Sequence, residues 1–381
     1  MEVACQADRL AAALRLVTRA LPARTNIPAL GTVLLEAAET QLFLTATNLE
    51  LTIRLGLEMA VAAEGSVAVP GKVLAEFVNA IGDESVGLSL EPGRERLTLR
   101  SASFRTTLHG LPADDFPPRQ SADGGWCIQL PAKGLVDAIA ETIVATSSDE
   151  ARPVLTGIHV DVDGDRLVLS AIDGYRLARR QLDLGRVEKP RRVQVTVPAR
   201  SMAEAARAFR DVPGEVRLVV SALGNQVAFE APGVALTSRV IDGPSPDYRA
   251  LIPASSDTVA TVAGSVLSHR LRALSPFAEQ ASRAVRLTAH AGGLILSAAA
   301  AEVGSAETEL PAAVRGPEVT VVLNARYLVD CPVLDGPASV DLHLNGPLSP
   351  LVVRRSGSED YVYLVMPIRR AAGGGRDAPP A

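Results

Sequence analysis

The feature that most constrains this chain is that it repeats itself three times. Gln41-Leu42-Phe43-Leu44-Thr45-Ala46 returns as Arg166-Leu167-Val168-Leu169-Ser170-Ala171, and again as Gly293-Leu294-Ile295-Leu296-Ser297-Ala298. Leu44 and Leu169 stand 125 residues apart, and Leu169 and Leu296 stand 127 apart. A second marker keeps nearly the same period. Val67-Ala68-Val69-Pro70, Val195-Thr196-Val197-Pro198 and Val321-Val322-Leu323-Asn324 are separated by 128 and 126 residues, and each leads into an apolar-periodic run. A period this long is the size of a whole domain rather than of a solenoid repeat.

Each repeat reads alike. A helical pattern comes first, as in Leu10, Leu14, Val17 and Leu21 at three- and four-residue spacing. Alternating strands follow, such as Val33–Leu35, Leu42–Leu44 and Leu51–Ile53. Pro or Asn then opens a second helix, more strands follow, and a Pro-containing segment closes the repeat: Leu111-Pro112, Ser245-Pro246, Met366-Pro367. The expected fold is α+β, in three tandem domains of two helices each. The expected boundaries are 1–124, 125–253 and 254–370, with linkers near Ser121–Gly125 and Pro253–Asp257. A Gly/Pro-rich tail, 371–381, is expected to be disordered.

Charge is divided unevenly along this pattern. The whole chain carries −5. The six expected helices (7–21, 71–81, 132–145, 199–210, 265–274 and 325–331) hold eleven basic and six acidic residues, so the remainder is strongly acidic. Helices that face phosphate while strands face water give this distribution.

Other classes find little support. No stretch approaches the ~18 uninterrupted apolar residues of a membrane span, and the start of the chain lacks a basic stretch followed by a long apolar run. A cytoplasmic protein is expected. Cys5, Cys127 and Cys331 are scattered, as are the five histidines, which argues against a disulfide framework or a metal site. No phosphate-binding loop, nucleophile elbow or zinc-protease motif is present. No catalysis, cofactor or metal is therefore expected. A scaffold without nucleic acid would lack the basic bias of the helices.

Four local motifs, in order and in matching domains, resemble those of the bacterial DNA polymerase III sliding clamps. Arg24-Thr25-Asn26-Ile27-Pro28-Ala29-Leu30-Gly31 is similar to the family's R-x-x-x-P-x-L-G. Ala171-Ile172-Asp173-Gly174-Tyr175-Arg176-Leu177-Ala178 is similar to A-T-D-G-H-R-L-A. Asp242-Gly243-Pro244-Ser245-Pro246-Asp247-Tyr248-Arg249 is similar to D-G-x-F-P-D-Y-R, and Tyr363-Leu364-Val365-Met366-Pro367-Ile368-Arg369 to Y-V-V-M-P-M-R. The resemblance covers residues 1–370. It implies clamp-type domains with helices on antiparallel sheets, assembled as a head-to-tail homodimeric ring, with helices around the hole and sheets outside. It also implies non-specific, topological retention on double-stranded DNA.

The resemblance further implies a groove for short peptide motifs of the replicative polymerase, the clamp loader and repair proteins. Its residues here would be Leu155, Gly174, Tyr175, Arg176, Leu177, Pro246, Leu364, Val365, Met366, Pro367 and Ile368. The DNA-facing residues would be Arg24, Lys72, Arg152, Arg200, Arg283 and Asn324. Departures from the pattern are Asp149 and Val154 in place of a polar amide and an aromatic, Ala250 in place of Arg, Tyr175 in place of His, and Pro332, which shortens or kinks the last helix. They leave a second reading open: a divergent extra clamp copy with altered partner or inhibitor binding.

Overall fold

A computed structural model describes residues 1–369 except 83, 84, 92, 119–121, 123, 124 and 186–191. The expected tail at 371–381, and most of the expected linker at Ser121–Gly125, lie outside the described residues. Among the described residues there are six α-helices, two per repeat: α1 (Ala7–Val17), α2 (Gly71–Ile81), α3 (Ala132–Thr142), α4 (Ala199–Ala208), α5 (Gly264–Glu279) and α6 (Ala325–Val329). The predicted apolar stripe accounts for α1. Leu10, Leu14 and Val17 are completely buried, and each contributes roughly 1.5–3 kcal/mol of apolar burial.

Three helices end away from the expected positions. α4 stops at Ala208, two residues short of 210. α5 runs past 274 to Glu279, through Pro276, even though proline leaves a helical carbonyl without its amide partner. α6 ends at Val329 because Pro332 begins a separate 3-10 turn, Pro332–Asp335. Its start is fixed by Asn324, whose Oδ1 accepts from the Arg326 amide at 3.0 Å. Within the observed bounds, and with the 3-10 turns that prolong α1 and α3, the helices hold ten basic and six acidic residues. The positive bias of the helices therefore stands.

The repeat markers occupy equivalent strands. Leu44, Leu169 and Leu296 lie in Gln41–Thr47, Arg166–Ile172 and Gly293–Ala300, each at most 1% exposed. The second marker ends the strands Gly65–Pro70, Val193–Pro198 and Val319–Asn324, which lead directly into α2, α4 and α6. The closing segments are pinned to these strands alike. Ala68 bridges Leu111, Thr196 bridges Ile241, and the Ile368 amide donates to the Val322 carbonyl at 2.8 Å.

The described residues cluster into two compact units. The first contains Met1–Ile139 and Val195–Gly243. Its eight-stranded sheet runs Trp126–Pro131, Glu215–Val220, Gln226–Ala231, Val234–Arg239, Leu51–Glu58, Gln41–Thr47, Thr32–Ala38, Gly65–Pro70. A five-stranded sheet ends at Arg105–His109. The second unit contains Ala140–Asp183 and the chain from Pro244 onward. Its main sheet includes, in order, Gly157–Asp163, Arg166–Ile172, Arg176–Asp183, Tyr361–Val365, Leu351–Arg355, Ser339–Leu344. A four-stranded sheet begins at the edge strand Gly304–Leu310.

The second repeat is divided between the units because backbone ladders run from one repeat into the next. Val234–Arg239 pairs antiparallel with Leu51–Glu58 of the first repeat, Leu236 facing Ile53. Arg176–Asp183 pairs antiparallel with Tyr361–Val365 of the third, Leu177 facing Leu364. Continued pairing satisfies backbone groups that a free edge would expose.

Candidate peptide groove and nucleic-acid face

The second unit holds a cleft of about 560 Å³ beside the junction of Arg176–Asp183 with Tyr361–Val365. The turn entering the first of these strands shapes one wall. Asp173 Oδ1 accepts from the amides of Tyr175 and Arg176 at 2.8 and 2.9 Å, and Gly174 takes φ +95°, where a side chain is strained. The opposite strand continues past its ladder. The Met366 amide donates to the Tyr175 carbonyl at 2.8 Å, and Ile368 is held on Val322. Met366, Pro367 and Ile368 are thereby laid along the cleft, with Tyr175 62% exposed at its mouth.

The expected groove residues divide by depth. Gly174, Tyr175, Met366, Pro367 and Ile368 line the cleft. Leu177 and Leu364 are core, 0% and 1% exposed, in an apolar cluster with Ile172, Tyr248, Val352 and Val362. Leu155 and Met366 pack on that cluster. Val365 is fully buried, and half-buried Pro246 stands two residues before Tyr248. These buried residues are the floor of the site rather than its surface. Sequence reasoning did not assign Ser282, Tyr327 or Arg369, which also line the cleft. Asn324, expected on the DNA side, lines it too, while its carboxamide caps α6. The position of Tyr327 just after the third marker was the available signal.

Arg176 ties the floor together. Its Nε donates to Asp173 at 3.0 Å and its NH1 to Asp330 at 2.7 Å, and its guanidinium lies 4.6 Å from the Tyr327 ring centre. Burial pushes the Tyr363 phenol well above its ordinary range, so it stays a neutral donor, to the Tyr327 carbonyl at 2.7 Å. Apolar walls around a few fixed polar groups suit an extended peptide with apolar anchors. Methionine at the centre adapts to different anchors.

The expected DNA-facing arginines and lysine are all exposed. Lys72 Nζ donates to the Ala23 carbonyl at 3.4 Å, next to Arg24. Arg200 NH2 donates to the Arg19 carbonyl at 3.1 Å. Arg152 pairs with Asp149 at 2.9 Å, and a Cβ added to Gly174 would lie 3.7 Å from its NH1, so it sits beside the groove turn with its charge partly neutralised. Arg283 has φ +60° and lines a cavity of about 190 Å³ with Arg326 and Glu279. Among the described residues no group of three or more His, Cys, Asp or Glu is placed to hold a metal ion, and no helix is long and apolar enough to cross a membrane.

Sequence profiles of the DNA polymerase III beta subunit match in all three parts: its N-terminal domain at residues 1–120, its central domain at 129–247 and its C-terminal domain at 249–369. The beta sliding clamp of Synechococcus elongatus is 31% identical over 373 residues, covering 97% of this chain and 99% of that one. The beta sliding clamp of Streptomyces coelicolor is 30% identical, with the same coverage of both chains. The crystal structure of the Pseudomonas aeruginosa DNA polymerase III subunit beta superposes with a TM-score of 0.89 at 28% identity, covering 97% of this chain and all of that one. The Bacillus subtilis DNA polymerase sliding clamp gives 0.90 at 26% identity, with the same coverage.

Proposed function

Since the chain belongs to the DNA polymerase III beta subunit family and is thus a DNA sliding clamp, a non-catalytic processivity factor of replication, we propose that two copies close head to tail around duplex DNA and present the cleft beside Met366 to peptide motifs of their clients. The proposed domain boundaries are 1–124, 125–253 and 254–370; the first two contain the matched N-terminal and central spans, and the C-terminal match begins at 249, five residues before the third boundary. The clients are the replicative polymerase, the clamp loader and repair proteins, and the setting is the cytoplasm.

The observation that carries the dimer is a missing third junction. Leu51–Glu58 and Arg176–Asp183 each pair with the closing strand of the next repeat. Their third-repeat equivalent, Gly304–Leu310, is an edge strand among the described residues, and so is the first-repeat closing strand, Arg105–His109. Equivalence fixes the register. Leu111, Ile241 and Ile368 occupy one position of the repeat, so Arg105 corresponds to Ala235 and Val362. Those residues face Arg54 and Arg179, whose third-repeat equivalent is Glu307. Arg105 of one copy then faces Glu307 of the other, and Thr106 faces Ala306. A basic edge meets an acidic one, and two exposed edges become a ladder.

Arg24, Lys72, Arg200 and Arg283 supply weak, sequence-independent phosphate contacts in this reading, which lets a closed ring slide. The test is retention on primed DNA, circular against linearised, after loading by the cognate clamp loader. Retention on circles at moderate salt, lost on cutting, is the expected result. Equal retention on both forms would refute topological binding.

A further inference from the structure

A buried acid lies among the basic residues of the first unit's helices. Glu204 on α4 is 4% exposed. Its two oxygens take different arginines. Oε2 accepts from Arg19 Nε, and Oε1 accepts from Arg207 NH1 at 3.0 Å. Arg19 belongs to the 3-10 turn Thr18–Ala20 of the first repeat, 185 residues away in sequence, and its carbonyl also receives Arg200 NH2. Hydrogen bonding to Glu204 raises the Arg19 guanidinium above its ordinary value.

Burying a carboxylate is costly, and pairing it with arginine stabilises little more than a well-packed apolar side chain would. Elsewhere the same pairing is purely internal. Glu141 on α3 takes Arg180 and Arg355, whose side chains are only 18% and 26% exposed. The arginines on Glu204 are different: Arg19 and Arg207 are 43% and 46% exposed, and their side chains make no other hydrogen bond or ion pair among the described residues. A flexible arginine loses rotamer freedom when it grips a phosphate, whereas one already held at a single nitrogen has less to lose.

We infer that Glu204 is a positioning residue that orders Arg19 and Arg207, with Arg200 beside them, into a phosphodiester-binding site at the seam of the first two repeats. The inference rests on the reading that the helices face DNA. Its signature is a sign. Removing a negative charge near DNA strengthens binding if charge alone matters, and weakens it if orientation matters.

The test is fluorescence anisotropy of the full-length protein on a short linear duplex at low salt, with Glu204→Gln, Arg207→Lys, Arg19→Ala, Arg200→Ala and Arg207→Ala. Glu204→Gln is expected to bind about three- to tenfold more weakly despite its gain in positive charge. Arg207→Lys keeps its charge and also weakens binding. Glu204→Gln keeps one acceptor oxygen and turns an N–H donor toward the second arginine, whereas Arg207→Lys keeps both carboxylate acceptors, so the two variants disturb the site in different ways and each checks the other. If Glu204→Gln and Arg207→Lys bind as tightly as the parent while the alanine variants weaken, the positioning role is refuted and the DNA-facing reading survives. If the three alanine variants also bind as the parent does, the seam does not face DNA, and that reading fails as well.

Discussion

Reversing one charge on the proposed dimer edge should weaken the dimer. Arg105 lies on the edge strand Arg105–His109, exposed and without an ion-pair partner among the described residues. The register set by the two observed junctions puts it opposite Glu307 of a second copy. An opposed pair of unlike charges on neighbouring strands contributes roughly 0.2–1 kcal/mol, and like charges there are destabilising by a similar amount. Arg105→Glu therefore costs about 0.5–2 kcal/mol at each junction. A head-to-tail dimer contains the junction twice, so the total is about 1–4 kcal/mol, which is roughly a five- to thousandfold rise in the dimer Kd. Glu307→Arg should do the same, and the double variant should restore association. Sedimentation velocity across a concentration series reads all three. A single variant with the parent's Kd, or a double variant no better than the singles, would refute the register. High salt should narrow the differences, since both edges are exposed.

Further predictions concern the cleft, pH and the thiols. Met366→Glu, half-buried at the cleft wall, should weaken binding of peptides with apolar anchors by about thirtyfold or more, with dimer mass unchanged, as read by surface plasmon resonance. Leu177→Asp would be a poor test of the same site, because Leu177 is fully buried and the variant should misfold. Burial lowers the His159 imidazole to about 4, against 6.5 ordinarily. The unfolded chain then binds a proton that the folded chain does not, so stability is full above about pH 6.5 and falls toward pH 4, by at most about 3 kcal/mol. Denaturant midpoints of His159→Gln should depend less on pH across that window. Burial raises the Cys331 thiol to about 12, whereas Cys127 is exposed. A thiol reagent at neutral pH should modify Cys127 within minutes and reach Cys331 only on unfolding, as peptide mass mapping would show.

What the sequence determined by itself was whatever repeats locally. The strand markers at Leu44, Leu169 and Leu296, the apolar stripe of α1, the stop at Pro332 and the basic bias of the helices are all short-range patterns, because side-chain periodicity and backbone restriction act over a few residues. The groove motifs were legible as Asp173–Leu177 and Tyr363–Arg369, since each is continuous in the chain. Tertiary structure alone decided which side of those motifs is a surface. Leu177, Leu364 and Val365 sit beneath the cleft, while Asn324 and Tyr327 were brought to it by the start of α6. It also decided that Glu204 would meet an arginine 185 residues away. Such contacts depend on where strands of one repeat join those of the next, and no periodicity within a repeat encodes that distance.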